Sequence, residues 1–235
     1  TKSSAHAGAK IVLWQEYAVS VLEENEQEFI DRATKLAQEE QIYLALAIGF
    51  FPLNYPAQPW QNKLIWIDPD GKVIDEYLKL KPAPPLEPII PGEGEIPILN
   101  TPHGKIASII CADLDYPSLI HQAGVDGAEI LLIAAQSWSA TDPLHTHMAV
   151  FRAIENGFSM AMATGGGLSI AVDPYGRTIN SSDYFNSNEN QMIACLSTKG
   201  IVTIHSRISD TFAWLCILGF FIMCVWGYFI GRKQQ

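Results

Sequence analysis

The chain is poor in cysteine, in positive charge and in repetition. Its four cysteines, Cys111, Cys195, Cys216 and Cys224, show no CxxC pair. That spacing excludes a sequence-encoded structural zinc site, and four thiols in 235 residues do not make a disulfide framework. Lys and Arg number 15 against 25 Asp and Glu, a formal net charge of −10, and no basic cluster stands out. Such a balance excludes a nucleic-acid partner, which needs a concentrated positive surface. No internal repeat or low-complexity tract is present, so solenoids and disordered tails are excluded. No basic-then-apolar leader opens the chain. It starts "TKSSAHAGAK", which is expected to be a processed or excised terminus, with residues 1–9 a linker.

What is abundant is apolar sequence, 48% of the chain, enough for a large core. One run is of a different kind. From Phe212 to Ile230, "FAWLCILGFFIMCVWGYFI" carries no charge. About 20 apolar residues of helix cross a hydrocarbon core of roughly 30 Å. Trp214, Trp226 and Tyr228 lie near its ends, as aromatic belts do. A transmembrane helix is expected over 211–231, with Cys216 and Cys224 inside it. Arg232 and Lys233 in the following "GRKQQ" predict a cytoplasmic tail over 232–235 and place the preceding domain outside.

The rest alternates between two periods. "KIVLWQE" (10–16) reads as a strand ending in a polar residue. Residues 23–40 place Phe29, Ile30, Ala33, Leu36 and Ala37 at helical spacing. "IYLALAIGF" is a buried strand, and "NKLIWIDPDGKVIDEYLK" is two strands about a DPDG turn. The Pro- and Gly-rich stretch 82–97 must be an irregular loop. "KIASIIC" and "EILLIAA" are buried strands with a short helix at 117–124 between them. "HTHMAVFRAIENG" is a helix closed by Gly157. "SMAMAT", "LSIAVDPYGRTI" and "QMIACLS" complete the strands, with Cys195 in the core. This pattern predicts an α/β domain over 10–205, built as two mixed sheets back to back with helices outside.

Three reactive residues share one kind of place. Glu16, Lys79 and Cys111 each end a predicted strand, where α/β sheets present catalytic groups. Each alone reads as an ordinary loop acid, surface amine or core thiol. Together they supply a base, a cation and a nucleophile for acyl transfer through a thioester. The ammonium is expected to lower the thiol's pKa and the carboxylate to take its proton. Lys79 and the backbone N–H of Ala112 are candidates to hold the oxyanion. Trp138, in a loop after "LLIAAQ", and His145 are candidate substrate contacts. His145 and His147 lack a third ligand, so no metal is expected. Arg152 and Glu155 are spaced for an ion pair along one helix. "TGGGLS" lacks the lysine of a phosphate loop, and its glycines are expected to let backbone approach the site.

The order Glu16, "YLK" ending at Lys79, "IIC" ending at Cys111 resembles the nitrilase (carbon–nitrogen hydrolase) superfamily over residues 10–196. The resemblance implies a four-layer αββα nitrilase-type sandwich and a Glu16–Lys79–Cys111 triad. Glu87 matches a second glutamate that many members place beside the lysine. "HTHMAVFRAIENGFSMAMATGGGLSIAVDPYGRTI" is similar to the bacterial apolipoprotein N-acyltransferases, which also follow an extracytoplasmic nitrilase-like domain with a transmembrane helix. That likeness implies a phospholipid acyl donor, a lipoprotein N-terminal amine as acceptor, a place in the bacterial cytoplasmic membrane and no cofactor. The family's usual proline before the glutamate is Gln15 here, and its Tyr-Glu after the cysteine is Ala112–Asp113. Carbon–nitrogen hydrolysis, with water as acceptor and a small amide as substrate, uses the same triad. A scaffold domain on a membrane stalk is the reading without chemistry.

Overall fold

The structure is a computed structural model that describes residues 1–83, 87–186 and 191–233. In the first sheet, β1 (Ile11–Leu13) and β2 (Val19–Leu22) lie one after the other along the same edge of β3 (Tyr43–Phe51), both parallel to it. β4 (Gln61–Ile67) and β5 (Val73–Leu78) follow antiparallel, joined through the expected Asp68–Gly71 turn. The second sheet runs β11 (Thr178–Asp183), β10 (Leu168–Val172), β9 (Ser159–Gly165), β8 (Ile130–Gln136), β7 (Gly104–Ile110), β6 (Ile98–Thr101). Its central strands β7, β8 and β9 are parallel.

Strand alternation sorts the side chains into layers. On β3, Leu44, Leu46 and Ile48 face helix α2 (Glu26–Glu40) and pack with its Ala33 and Ala37. Ala45 and Ala47 face the other sheet. On β8, Ile130, Leu132 and Ala134 point inward to meet them, while Leu131, Ile133 and Ala135 point outward. The outward set packs on α3 (Pro117–Val125) and α4 (Asp142–Asn156). The result is the four-layer αββα sandwich. The alanines on the inner faces leave room for Trp66 and Tyr77. Trp66 Nε1–H donates across the sheets to Ser108 Oγ at 3.2 Å. Helix α4 ends at Gly157, whose φ of +76° and 1.9 Å approach of any Cβ to the Ile201 carbonyl exclude a side chain.

Several expectations need correction. "QMIACLS" forms no strand: its described contacts run from side chains, such as Asn180 Nδ2 to the Ile193 carbonyl, not through a backbone ladder. Cys195 is therefore exposed and not in the core. The "KIVLWQE" strand stops at Leu13, so Glu16 sits in the break between β1 and β2. Residues 1–9 carry a short helix, α1 (Lys2–His6), whose Lys2 and His6 meet Glu40 of α2. The expected loop 82–97 holds no helix or strand among its described residues; positions 84–86 lie outside them.

After α5 (Ile204–Ile208) comes α6 (Thr211–Lys233). Its segment Thr211–Ile230 has a mean hydropathy of 2.1 over a helix long enough to cross a membrane, and none of it is buried. The expected tail begins at its end; residues 234 and 235, and the side chains of 231–233, lie outside the described residues. No described α6 residue enters the three hydrophobic cores. A chain ending at Asp210 is therefore expected to stay soluble without detergent and to melt at the temperature of the full chain in detergent, read by circular dichroism. Loss of its cooperative transition would mean that α6 stabilises the domain.

Candidate active site

Parallel pairing sends several strand ends to one edge of the sandwich. Cys111 directly follows β7, Gln136 ends β8, and Gly165 ends β9. From the facing sheet, Lys79 directly follows β5, and Glu16 lies in the break after β1. Within that break Tyr17 takes a left-handed φ of +54°, a turn that a continuous strand could not make.

Glu16 and Lys79 are 2% and 1% exposed. Lys79 Nζ donates to Glu16 Oε1 at 2.9 Å and to Glu87 Oε2 at 2.6 Å. Glu16 Oε1 also accepts from Asn62 Nδ2 at 2.7 Å, and its Oε2 accepts from the Gln136 backbone N–H at 2.9 Å. Glu87 accepts from Asn62 Nδ2 at 2.9 Å, the Tyr17 hydroxyl at 2.7 Å and the Ala83 N–H at 2.9 Å. Burial by itself would lower the Lys79 pKa, but Glu16, Cys111 and the hydrogen bonds to Glu87 and Glu16 outweigh it and the ammonium is held above its ordinary value. Burial likewise works to raise Glu87, yet its bonds from Lys79, Ala83 and Tyr17 hold it below the usual carboxylate range.

Cys111 takes φ +43° at the first residue of a tight 3-10 turn, Cys111–Asp115. This left-handed kink lifts the thiol out of the strand line, and for a residue with a Cβ it costs about 1–3 kcal/mol. Cys111 Sγ lies 3.7 Å from the Gln136 carbonyl, so one residue of β8 contacts both thiol and carboxylate. The expected lowering of the thiol's pKa is not found. Burial and the negative charge of Glu16 push the thiol up, and Lys79 offsets only part of this. Both effects favour the thiol over the thiolate, and a thiol beside the Glu16 side chain is an arrangement suited to proton transfer.

The turn is pinned by a residue whose part the sequence did not reveal. Asp113 is fully buried and accepts from the Lys81 N–H at 2.8 Å, the Tyr77 hydroxyl at 2.7 Å and the Ile110 N–H at 3.1 Å. It ties the turn after β7 to the segment that carries Lys79. Ala112 lies buried within the same turn. His145, on α4, is 3.6 Å from Asp115. Burial lowers the His145 pKa while Asp115 works to raise it. Trp138 stands 54% exposed between β8 and α4. Gly166, at φ +69°, has the Ser137 carbonyl 2.4 Å from where a Cβ would stand, so the glycine run does allow close backbone approach. Arg152 and Glu155 pair at 2.7 Å. Among the described residues no cluster of three or more His, Cys, Asp or Glu fits a metal.

A two-sheet αββα sandwich with carboxylates, an ammonium and a thiol gathered at its strand ends is an enzyme of the nitrilase superfamily. The chain belongs to the carbon-nitrogen hydrolase family, whose sequence model matches residues 2–196. It is similar to the apolipoprotein N-acyltransferase of Borreliella burgdorferi, 29% identical over 74% of this chain and 38% of that protein. The Synechocystis enzyme of the same name is 28% identical over 68% and 34%. The chain thus spans well under half the length of these two relatives. In fold it resembles an amidase from Nesterenkonia sp. AN1, with a TM-score of 0.69, 22% identity and coverage of 78% of this chain and 79% of that one.

Burial pushes the Asp113 carboxyl up to about 6 against its hydrogen bonds. Its folded pKa lies above the unfolded value of about 3.9. The folded state therefore holds this proton more tightly, and the contribution to stability, full below about pH 4, is lost as pH rises through about 6. A two-unit shift corresponds to on the order of 3 kcal/mol. Asp113→Asn lacks this dependence, so its stability relative to the wild type is expected to improve by roughly that amount between pH 4 and 7.5, read by urea denaturation. A constant difference would mean that Asp113 titrates as an ordinary carboxylate.

Proposed function

We propose that the chain is the catalytic part of a membrane-bound N-acyltransferase that moves a phospholipid acyl chain through a Cys111 thioester to the N-terminal amine of a lipoprotein. As Sγ attacks the ester carbonyl, its proton passes to Glu16. The developing oxyanion is met by Lys79 Nζ and the Ala112 N–H. Collapse breaks the ester C–O bond, and the leaving alcohol takes the proton from Glu16. The acceptor amine then attacks the thioester and gives a proton to Glu16. Breaking the C–S bond forms the amide, and the proton returns to sulfur. Glu87 positions Lys79 throughout. Trp138 and His145, on the β8–α4 side of the turn, are substrate contacts. The domain faces outward from the bacterial cytoplasmic membrane, and the C-terminus faces the cytoplasm.

The observation that carries this reading is the apolar, unburied α6 on the same chain as the buried Glu16–Lys79–Glu87 cluster, supported by relatives named as N-acyltransferases. Hydrolysis of a small amide, with water in place of the amine, is the second reading. It is favoured by the short connection from Glu87 to Cys111, which holds only the β6–β7 hairpin among its described residues.

Full chain in detergent, incubated with a phospholipid labelled in its acyl chain, is expected to give a hydroxylamine-labile label on Cys111. The label should be absent from Cys111→Ala and should move to an added diacylglyceryl-peptide amine. Ammonia release from small amides, with no labelled enzyme formed, would establish the hydrolase instead.

A further inference from the structure

We propose that Asn62 is a positioning residue that supports Glu16 as proton acceptor by giving one amide hydrogen to each carboxylate of the site. This rests on the reading of Glu16 as the base. Nδ2 lies 2.7 Å from Glu16 Oε1 and 2.9 Å from Glu87 Oε1, so the two hydrogens of a single nitrogen are divided between two acids. The reversed amide would set an oxygen against both carboxylates, so the orientation is fixed by charge. Asn62 Oδ1 has no partner among the described side chains and backbone, which leaves the two carboxylates as the contacts that orient the amide. Asn62 is fully buried on β4, and its own carbonyl accepts the Lys79 N–H at 2.9 Å. It therefore lies beside all three members of the cluster.

The electrostatic need is plain. Two buried carboxylates share one ammonium, so each also meets the other's negative charge and needs further donors. The groups facing this space are Glu16 and Tyr17 from the β1–β2 break, Lys79 after β5 and Glu87 from the loop beyond it. Cys111 and Asp113 face it from the turn after β7, and His145 from α4. Glu87 has three donors besides Asn62: Lys79, Tyr17 and the Ala83 N–H. Among the described residues Glu16 has, besides Asn62, two fixed donors, Lys79 and the Gln136 N–H, and it also meets the Cys111 thiol, whose proton it is proposed to take. Loss of the amide therefore falls on Glu16, which is left with two fixed donors against the three that Glu87 keeps.

Alkylation of Cys111 by iodoacetamide, followed by mass spectrometry across pH, reads the proton transfer in the full chain without any acyl donor. In Asn62→Ala the acid limb of the rate is expected to move up by about one pH unit, the worth of one hydrogen bond to a charged group. Asn62→Asp, similar in size but adding a third carboxylate, should move it further, and Asn62→Ser, which keeps one donor, less. Should the alanine variant not fold, the other two carry the comparison. A slower rate with the limb unmoved would make Asn62 merely structural and overturn the proposal. Glu16→Gln separates the two levels. If it leaves the wild-type limb in place, the assignment of Glu16 as base fails; if it erases the limb while the Asn62 variants do not move it, the inference about Asn62 fails.

Discussion

A buried ammonium held between two carboxylates is the constraint around which this domain is arranged. Lys79 has almost no contact with water, and a charge so placed is tolerated only when paired and hydrogen-bonded. Glu16 and Glu87 provide the charge, while Asn62, Tyr17 and the backbone N–H groups of Gln136 and Ala83 use up the carboxylate lone pairs that Lys79 leaves. Removing any one partner strands another in a low-dielectric interior. The cluster is therefore a preformed frame beside Cys111, and in the proposed reaction its electrostatics need little rearrangement when a substrate arrives.

The fold builds that frame from both sheets. Glu16, Asn62 and Lys79 come from the sheet covered by α2, and Cys111 and Gln136 from the sheet covered by α3 and α4. The inner faces stay close because Ala45, Ala47 and Ala134 stand where larger side chains would separate them. The hydrogen bond from the Gln136 N–H to Glu16 and the Asp113 bonds to Tyr77 and Lys81 then lock the sheets in register at the site end. Packing and chemistry share the same residues here, because the groups that position Cys111 also close the polar end of the core.

The sequence made the layers legible because each rests on a local pattern. The period of two in "LALAI" and "ILLIAA" distinguishes the two faces of β3 and β8, and the helical spacing around Ala33 and Ala37 marks the helix that covers β3. Glu16, Lys79 and Cys111 were visible as reactive types at predicted strand ends, and the family resemblance added Glu87. Hidden were features made only by tertiary contact. Nothing near Asn62 signals that its amide meets two acids 46 and 25 residues away in the chain. Asp113 looked like a departure from a motif, whereas it pins the turn. The break after Leu13, the left-handed Tyr17 and Cys111, and the absent "QMIACLS" ladder depend on neighbours that no local period encodes. The thiol's pKa runs against the motif for the same reason: the nearby lysine is evident from the sequence, but burial and the adjoining Glu16 outweigh it.

A neutral Cys111 thiol beside a Lys79-held Glu16 carboxylate is the central claim, and thiolate absorbance in the ultraviolet tests it most directly. The pH titration of the wild type minus that of Cys111→Ala isolates this sulfur. A neutral resting thiol predicts that the difference signal stays flat through neutral pH and rises only above the ordinary thiol range near 8.5. A thiolate signal already present at neutral pH would contradict the account and replace base-assisted attack with a preformed ion pair of Cys111 and Lys79.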